Sequence, residues 1–177
     1  MITPRNRIML PIPNGHYPLS KSFALKQEGF SMNTQPHFEE LLKLFEENRV
    51  AYMIVGGYAV AFYGFPRFTK DIDLFFEISE TNIDRIIDSL CKFGFDRGSI
   101  PRELFTEKGN IIKFGVEPVR VDLLNEIDGV SFEDITSRKI RGHYGSTEVS
   151  FIAKEDLIRN KEASGRLQDL ADLEKLK

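Results

Sequence analysis

Residues 53–76 read MIVGGYAVAFYGFPRFTKDIDLFF, and their reading decides how the chain must fold. An apolar run stops at Gly56 and Gly57, the segment from Tyr58 to Tyr63 can make one or two helical turns, and Gly64 and Pro66 interrupt it again. From Lys70 the pattern is extended. Asp71, Asp73 and Phe75 alternate with Ile72, Leu74 and Phe76, so in a strand the two Asp side chains leave from one face. Carboxylates spaced about 7 Å along one strand face repel each other unless a cation lies between them. The stretch thus predicts a strand, a glycine turn, a short helix, a basic loop and a carboxylate-bearing strand, with a metal ion as the partner of the two Asp.

Outward from this stretch the periodicity alternates between helix and strand. On its N-terminal side a helix over 34–48 is predicted, capped by Thr34 with Pro36 in the first turn and Phe38, Leu41, Leu42 and Phe45 at helical spacing; residues 51–55 read as a buried strand. On its C-terminal side Ser79 or Thr81 caps a helix whose Ile83, Ile86, Ile87, Leu90 and Phe93 form an apolar stripe stopped by Gly94. Residues 111–116 and 119–124 are predicted as an antiparallel pair joined at Glu117-Pro118. Asp122 is a third carboxylate in the otherwise apolar second strand. It is either an edge residue facing water or a companion of Asp71 and Asp73.

Residues 132–141 predict a further short helix and 148–152 a last strand. From Lys154 to the end one proline-free helix is expected. It places Leu157, Ala163, Leu167, Leu170 and Ala171 on one side, Lys161, Gly165, Asp169 and Asp172 on the other, and Arg166 at the flank. A polar stripe of this kind is either a solvated face laced with ion pairs or a wall of a site.

The 177 residues fit one domain, and a 41% hydrophobic content that includes 15 Phe supplies a core. A net charge of −3 gives no global argument for nucleic acid or a membrane surface. A single cysteine, Cys91, excludes an intrachain disulfide and points to a reducing, cytoplasmic setting. No run approaches the roughly eighteen apolar residues of a membrane span. The first 31 residues differ: Arg5, Arg7, Lys21 and Lys26 against Glu28 give +3, leaving −6 for the rest, and four of the eight prolines lie there. The apolar run from Ile8 is too short and proline-broken for a secretory signal, so 1–31 is expected to be an ordered arm or a disordered leader to a single domain over 32–177.

No GxGxxG follows a strand and no GxxxxGK[ST] is present, so neither a dinucleotide fold nor a P-loop is supported. Gly56-Gly57 after a strand still leaves backbone N–H groups that can meet a phosphate, though a turn for close packing has the same signature. Phosphates are the usual companions of carboxylate-bound Mg²⁺, and a third Asp allows two ions that activate a hydroxyl and stabilise a leaving pyrophosphate. Arg67 and Lys70 add charge suited to a triphosphate. Cys91, on an apolar helix, reads as core, and His16, His37 and His143 lack zinc-ligand spacing.

Val55-Gly56-Gly57 followed by Asp71-Ile72-Asp73 resembles the signature of the DNA polymerase beta-like nucleotidyltransferase superfamily. The likeness is greatest to minimal prokaryotic nucleotidyltransferase-like proteins, including those of abortive-infection and toxin-antitoxin systems. It is carried by the glycine pair, by Arg67-x-Thr69-x-Asp71-x-Asp73, and by a closing helix with Asp156-Leu157-Ile158, Lys161, Arg166 and Asp169. The resemblance implies that Gly56 and Gly57 contact nucleotide phosphates, that Asp71, Asp73 and Asp122 bind Mg²⁺ (or Mn²⁺), and that Arg67, Thr69, Lys70, Lys161 and Arg166 bind the nucleotide or an acceptor. Many catalytic relatives carry Ser where this chain has Gly57, whose backbone N–H must serve alone.

The expected fold is α/β (α+β), a small mixed sheet with helices mainly on one side. The expected function is metal-dependent transfer of a nucleoside monophosphate from a nucleoside triphosphate (NTP) to a hydroxyl of RNA such as transfer RNA, of a protein or of a small molecule. A toxin-like role with an antitoxin partner is included. The alternative is a catalytically silent fold that binds a nucleotide, RNA or a protein.

Overall fold

The computed structural model describes residues 5–10, 35–116 and 119–177. Its centre is a seven-stranded mixed sheet built from β1 (Arg7–Met9), β2 (Tyr52–Val55), β3 (Asp71–Phe76), β4 (Ile111–Val116), β5 (Val119–Leu124), β6 (Ile140–Tyr144) and β7 (Thr147–Phe151), in the order β1-β4-β5-β3-β2-β7-β6. Parallel and antiparallel neighbours alternate across it, since β1–β4, β5–β3 and β2–β7 are parallel while β4–β5, β3–β2 and β7–β6 are antiparallel. The carboxylate strand β3 therefore lies in the middle, where both its edges are paired and its outline is fixed.

The helices are α1 (Pro36–Glu47), α2 (Gly56–Phe62), α3 (Glu80–Phe93), α4 (Glu103–Thr106), α5 (Phe132–Ile135), α6 (Lys154–Ser164) and α7 (Leu167–Leu176). In α1 the predicted stripe Phe38, Leu41, Leu42 and Phe45 is buried, and in α3 so are Ile83, Ile86, Ile87 and Leu90. Ser79 caps α3 by accepting from the Asn82 N–H, and Gly94 ends it. Asn82 also bolts the helix to the sheet: its side chain accepts from the Ala51 N–H and donates to the carbonyls of Ala51 and Glu77. That bond set holds the start of β2 against the end of β3. The antiparallel pair β4–β5 forms in the expected register, with Val116 opposite Val119. Its turn at 117–118 and the Thr34 cap lie outside the described residues.

Three elements differ from expectation. The helix predicted over 132–141 stops after α5 and a short 3-10 turn, and Ile140 opens β6, which pairs with β7 as a hairpin through Gly145. Phe132 and Ile135 are buried within the single turn of α5. Second, the closing helix is two helices. Gly165 adopts a left-handed conformation (φ 62°), which ends α6 and turns the chain before α7. Leu167 and Leu170, placed on the apolar side of a straight helix, are consequently exposed, and Leu173 and Leu176 are buried in their stead. Third, no strand is predicted before residue 51, and β1 joins the sheet edge through three residues paired with Ile111, Ile112 and Lys113. Cys91 is half-buried and packs against the core.

Candidate functional site: a carboxylate cleft closed by two helices

The register of three neighbouring strands assembles the site. Val55 pairs with Asp73, Asp73 with Asp122, and Asp122 with Lys113, while Asp71 pairs with Arg120. Directly opposed residues share a sheet face, so Asp71, Asp73, Asp122, Arg120 and Lys113 all project to one side. The glycine turn starts one residue after Val55 and so meets Asp73. Gly56 has φ +61°, and a Cβ there would overlap Asp73 Oδ2 and lie 2.9 Å from its Cγ. Only glycine allows this approach of backbone to carboxylate.

The three carboxylates are treated differently by their surroundings. Asp122 is buried, accepts from Lys113 Nζ through Oδ2 and from Arg120 Nε through Oδ1 at 3.1 Å. Arg120 also reaches Asp71 Oδ2, and Asp71 Oδ1 accepts from the Thr69 hydroxyl at 3.1 Å. Asp73 is half-buried and has no hydrogen bond or ion pair among the described residues. Burial, reinforced by the charges of Asp71 and Asp122, pushes its carboxyl from 3.8 up to about 7 against the opposing pull of Lys113 and Lys161. Among the described residues no three Asp, Glu, His or Cys side chains gather into a ready metal cage. Arg120 stands between Asp71 and Asp122 instead.

Asp73 and Gly56 open onto a cleft of about 70 Å³. The α6–α7 corner supplies its facing wall through Asn160, Lys161, Ser164, Arg166 and Asp169, and the chain after β5 closes it with Ile127 and Asp128. Here the bend at Gly165 matters, because it folds α7 back so that the polar stripe of the two helices is turned inward. Lys161 is only 2% exposed and donates to Asp169 Oδ1 at 2.9 Å and Asp172 Oδ2 at 2.7 Å. Ser164 donates to the other oxygen of Asp169 at 2.7 Å. Arg67 grips Asp172 with two bonds, Nε to Oδ1 at 2.8 Å and Nη2 to Oδ2 at 3.0 Å. Thus the basic loop before β3 is tied to the last helix across the chain.

Of the residues singled out by sequence, Asp73, Gly56, Lys161 and Arg166 line the cleft, Arg166 with an exposed side chain. Asp71 and Asp122 adjoin Asp73 on the sheet without lining it. Gly57 backs onto the basic loop: a Cβ there would lie 2.9 Å from Thr69 Oγ1 and 3.3 Å from Arg67 Nη1. Thr69 and Arg67 therefore occupy the space that a serine side chain would need. Lys70 is exposed at the end of the loop. Sequence reasoning passed over Lys113 and Arg120, although both are legible by alternation: Arg120 is two residues before Asp122 on the same face, and the hairpin register sets Lys113 opposite it. Asn160, Ser164 and Asp128 carry no sequence signal, since only the bend at Gly165 and the loop after β5 bring them to the cleft.

A family model described as "Nucleotidyl transferase of unknown function (DUF2204)" matches residues 34–177. No curated protein matches the chain. Among the described residues no helix is long and apolar enough to cross a membrane.

Proposed function

The chain belongs to this family of nucleotidyl transferases of unknown function, and from that premise we propose that it transfers a nucleoside monophosphate from an NTP to a hydroxyl acceptor with release of pyrophosphate. One observation carries the reading: the strand register sets the glycine turn, the Asp71/Asp73 pair and Asp122 side by side on one sheet face, beside a cleft walled by Lys161 and Arg166.

The donor set fits a hard divalent cation, Mg²⁺ or Mn²⁺. Asp73 is a carboxylate without a cationic partner among the described residues, crowded by two others, and a bound cation relieves that crowding. Asp73 and, once Arg120 yields, Asp71 would hold it, with Asp122 as third ligand when Arg120 and Lys113 both release it, and when bound it supplies positive charge to the reacting phosphate. The chain's own residues do the rest. Gly56 presents backbone without a side chain to the phosphates, Gly57 lets the Arg67–Thr69 loop pack against the turn, and Lys161 and Arg166 offer donors from the facing wall. Arg67, held by Asp172, positions the loop that carries Thr69 and Lys70 next to the Asp pair. The acceptor in this reading is a hydroxyl of RNA, of a protein or of a small molecule, and the setting is a toxin-like component kept in check by an antitoxin.

The test is incubation of the protein with each labelled NTP, Mg²⁺ and total cell RNA or lysate. Label entering an acceptor, with matching pyrophosphate, is expected from the wild type and is expected to vanish in Asp73→Ala; wild-type protein that neither transfers label nor binds nucleotide in a metal-dependent way ends the reading. A second reading, nucleotide binding without transfer, is favoured by Arg120, which already neutralises Asp71 and Asp122. Metal-dependent binding with no release of pyrophosphate would single it out.

A further inference from the structure

The cleft has one wall that belongs to neither the sheet's central strands nor the α6–α7 corner. Arg5, just before β1, lines it. The placement is anchored at several points. The Ile111 N–H donates to the Asn6 carbonyl at 2.8 Å, the Leu10 N–H donates to the Lys113 carbonyl at 2.8 Å, and Leu10 is buried in the core. Between these bonds, β1 runs parallel to β4, so its N-terminal end lies where Ile111 begins that strand.

At that end the Arg5 side chain, 11% exposed, meets Asp128 Oδ1 through Nη2 at 2.9 Å. Asp128 is fixed in turn by Asn160 of α6, whose side chain donates to its carbonyl at 2.9 Å. Sheet edge, loop and closing helix are thereby joined at the rim of the cleft, and the guanidinium sits at the joint. A guanidinium has five N–H donors in a rigid fork, more than one carboxylate oxygen can accept, and forks of this kind suit phosphate oxygens. Lys161 and Arg166 line the same cleft. The family match begins at residue 34, so Arg5 lies outside the part of the chain that the family shares.

We propose that Arg5 is a nucleotide-binding residue supplied by the N-terminal strand, donating to a phosphate of the NTP held in the cleft. The proposal rests on the nucleotidyltransferase reading above and adds a residue and a segment to it. Asp128 and Asn160 act as positioning residues, holding the guanidinium at the rim before ligand arrives. Arg7, two residues on, is exposed and lines no part of the cleft, which makes it the internal control for charge and for the integrity of β1.

The experiment is calorimetric titration of the full chain with each Mg²⁺-NTP and, separately, with Mg²⁺-pyrophosphate, for wild type, Arg5→Ala, Arg5→Gln and Arg7→Ala, each checked by thermal unfolding. Arg5→Ala is expected to weaken binding of both ligands by about tenfold or more, as loss of a charged phosphate contact does, with Arg7→Ala within about twofold of wild type. Should Arg5→Ala unfold, Arg5→Gln carries the comparison, since it keeps a polar side chain at the joint. Wild-type affinity in a folded Arg5 variant overturns the proposal while leaving the nucleotidyltransferase reading in place. A loss confined to NTP with pyrophosphate unaffected overturns the assignment to phosphate. Failure of the wild type to bind either ligand removes both.

Discussion

Two charged clusters border the same cleft and are built in opposite ways. On the helices, Lys161 is enclosed by Asp169 and Asp172, and Arg67 closes Asp172 with a two-pronged contact, so every buried charge has its counterpart within about 3 Å. On the sheet, Asp71, Asp73 and Asp122 are set side by side and share Arg120 and Lys113, with Asp73 left over. A buried ion pair costs much to break and contributes little net stability when intact. An unbalanced carboxylate is a standing cost that folding tolerates only where something else is gained. The helix cluster thus ties the α6–α7 corner to the loop before β3, and the sheet cluster keeps one carboxylate, Asp73, uncompensated among the described residues.

The largest effect expected from this contrast is on turnover. Asp73→Ala should lower NTP-dependent transfer by more than the roughly 10- to 100-fold that the outer partners of a metal site typically contribute. Radiolabel transfer and pyrophosphate release measure it, and circular dichroism should show the fold intact. Retained transfer would mean that the sheet cluster is not where chemistry occurs.

Stability should answer in the other cluster. Lys161→Met removes the cation that Asp169 and Asp172 enclose and leaves two carboxylates crowded together, a loss of about 3–5 kcal/mol in urea unfolding. Asp73→Asn, by contrast, removes repulsion and should raise stability by about 1–2 kcal/mol at pH 8 while abolishing transfer. Opposite signs for these two substitutions are the sharpest statement of the comparison; equal losses would erase it. Gly56→Ala tests the geometry between them, since it strains a positive φ and drives a methyl into Asp73. A destabilisation of about 1–2 kcal/mol is expected, together with loss of nucleotide binding.

Much of this arrangement was legible in the sequence because it is local. Alternation in DIDLFF put Asp71 and Asp73 on one face, and the break at Gly56-Gly57 set the turn that Asp73 meets. Asp122 was visible as a polar intruder in VRVDLL. Its parallel register against Asp73 was not, since it depends on which strands neighbour each other across forty-eight intervening positions of chain from Asp73. The closing helix failed for a related reason. A single Gly165 is compatible with a continuous helix by periodicity, but in the left-handed conformation it reverses which residues face the core, turning Lys161 and Asp172 inward and Leu167 outward. Arg5 was invisible because β1 is three residues long and is defined by its partner strand alone.

The smallest expected effect concerns acid. Burial by itself would raise the Asp172 carboxyl, but hydrogen bonds from Arg67 and Lys161, with their charges, outweigh it and hold the group below its ordinary 3.8. A carboxylate depressed in the folded state binds fewer protons there than in the unfolded chain, so its share of the stability is fully present above the unfolded value and drains away as pH falls through the folded one. Wild type and Asp172→Asn should therefore differ most near neutrality, and the gap should narrow progressively as pH drops below about 4, the range in which an unfolded Asp titrates. Urea unfolding of both proteins between pH 3 and 7 reads this directly. A gap that stays constant across the range would show that Asp172 is held by shape and not by charge, and the helix cluster would then lose its standing as the compensated member of the pair.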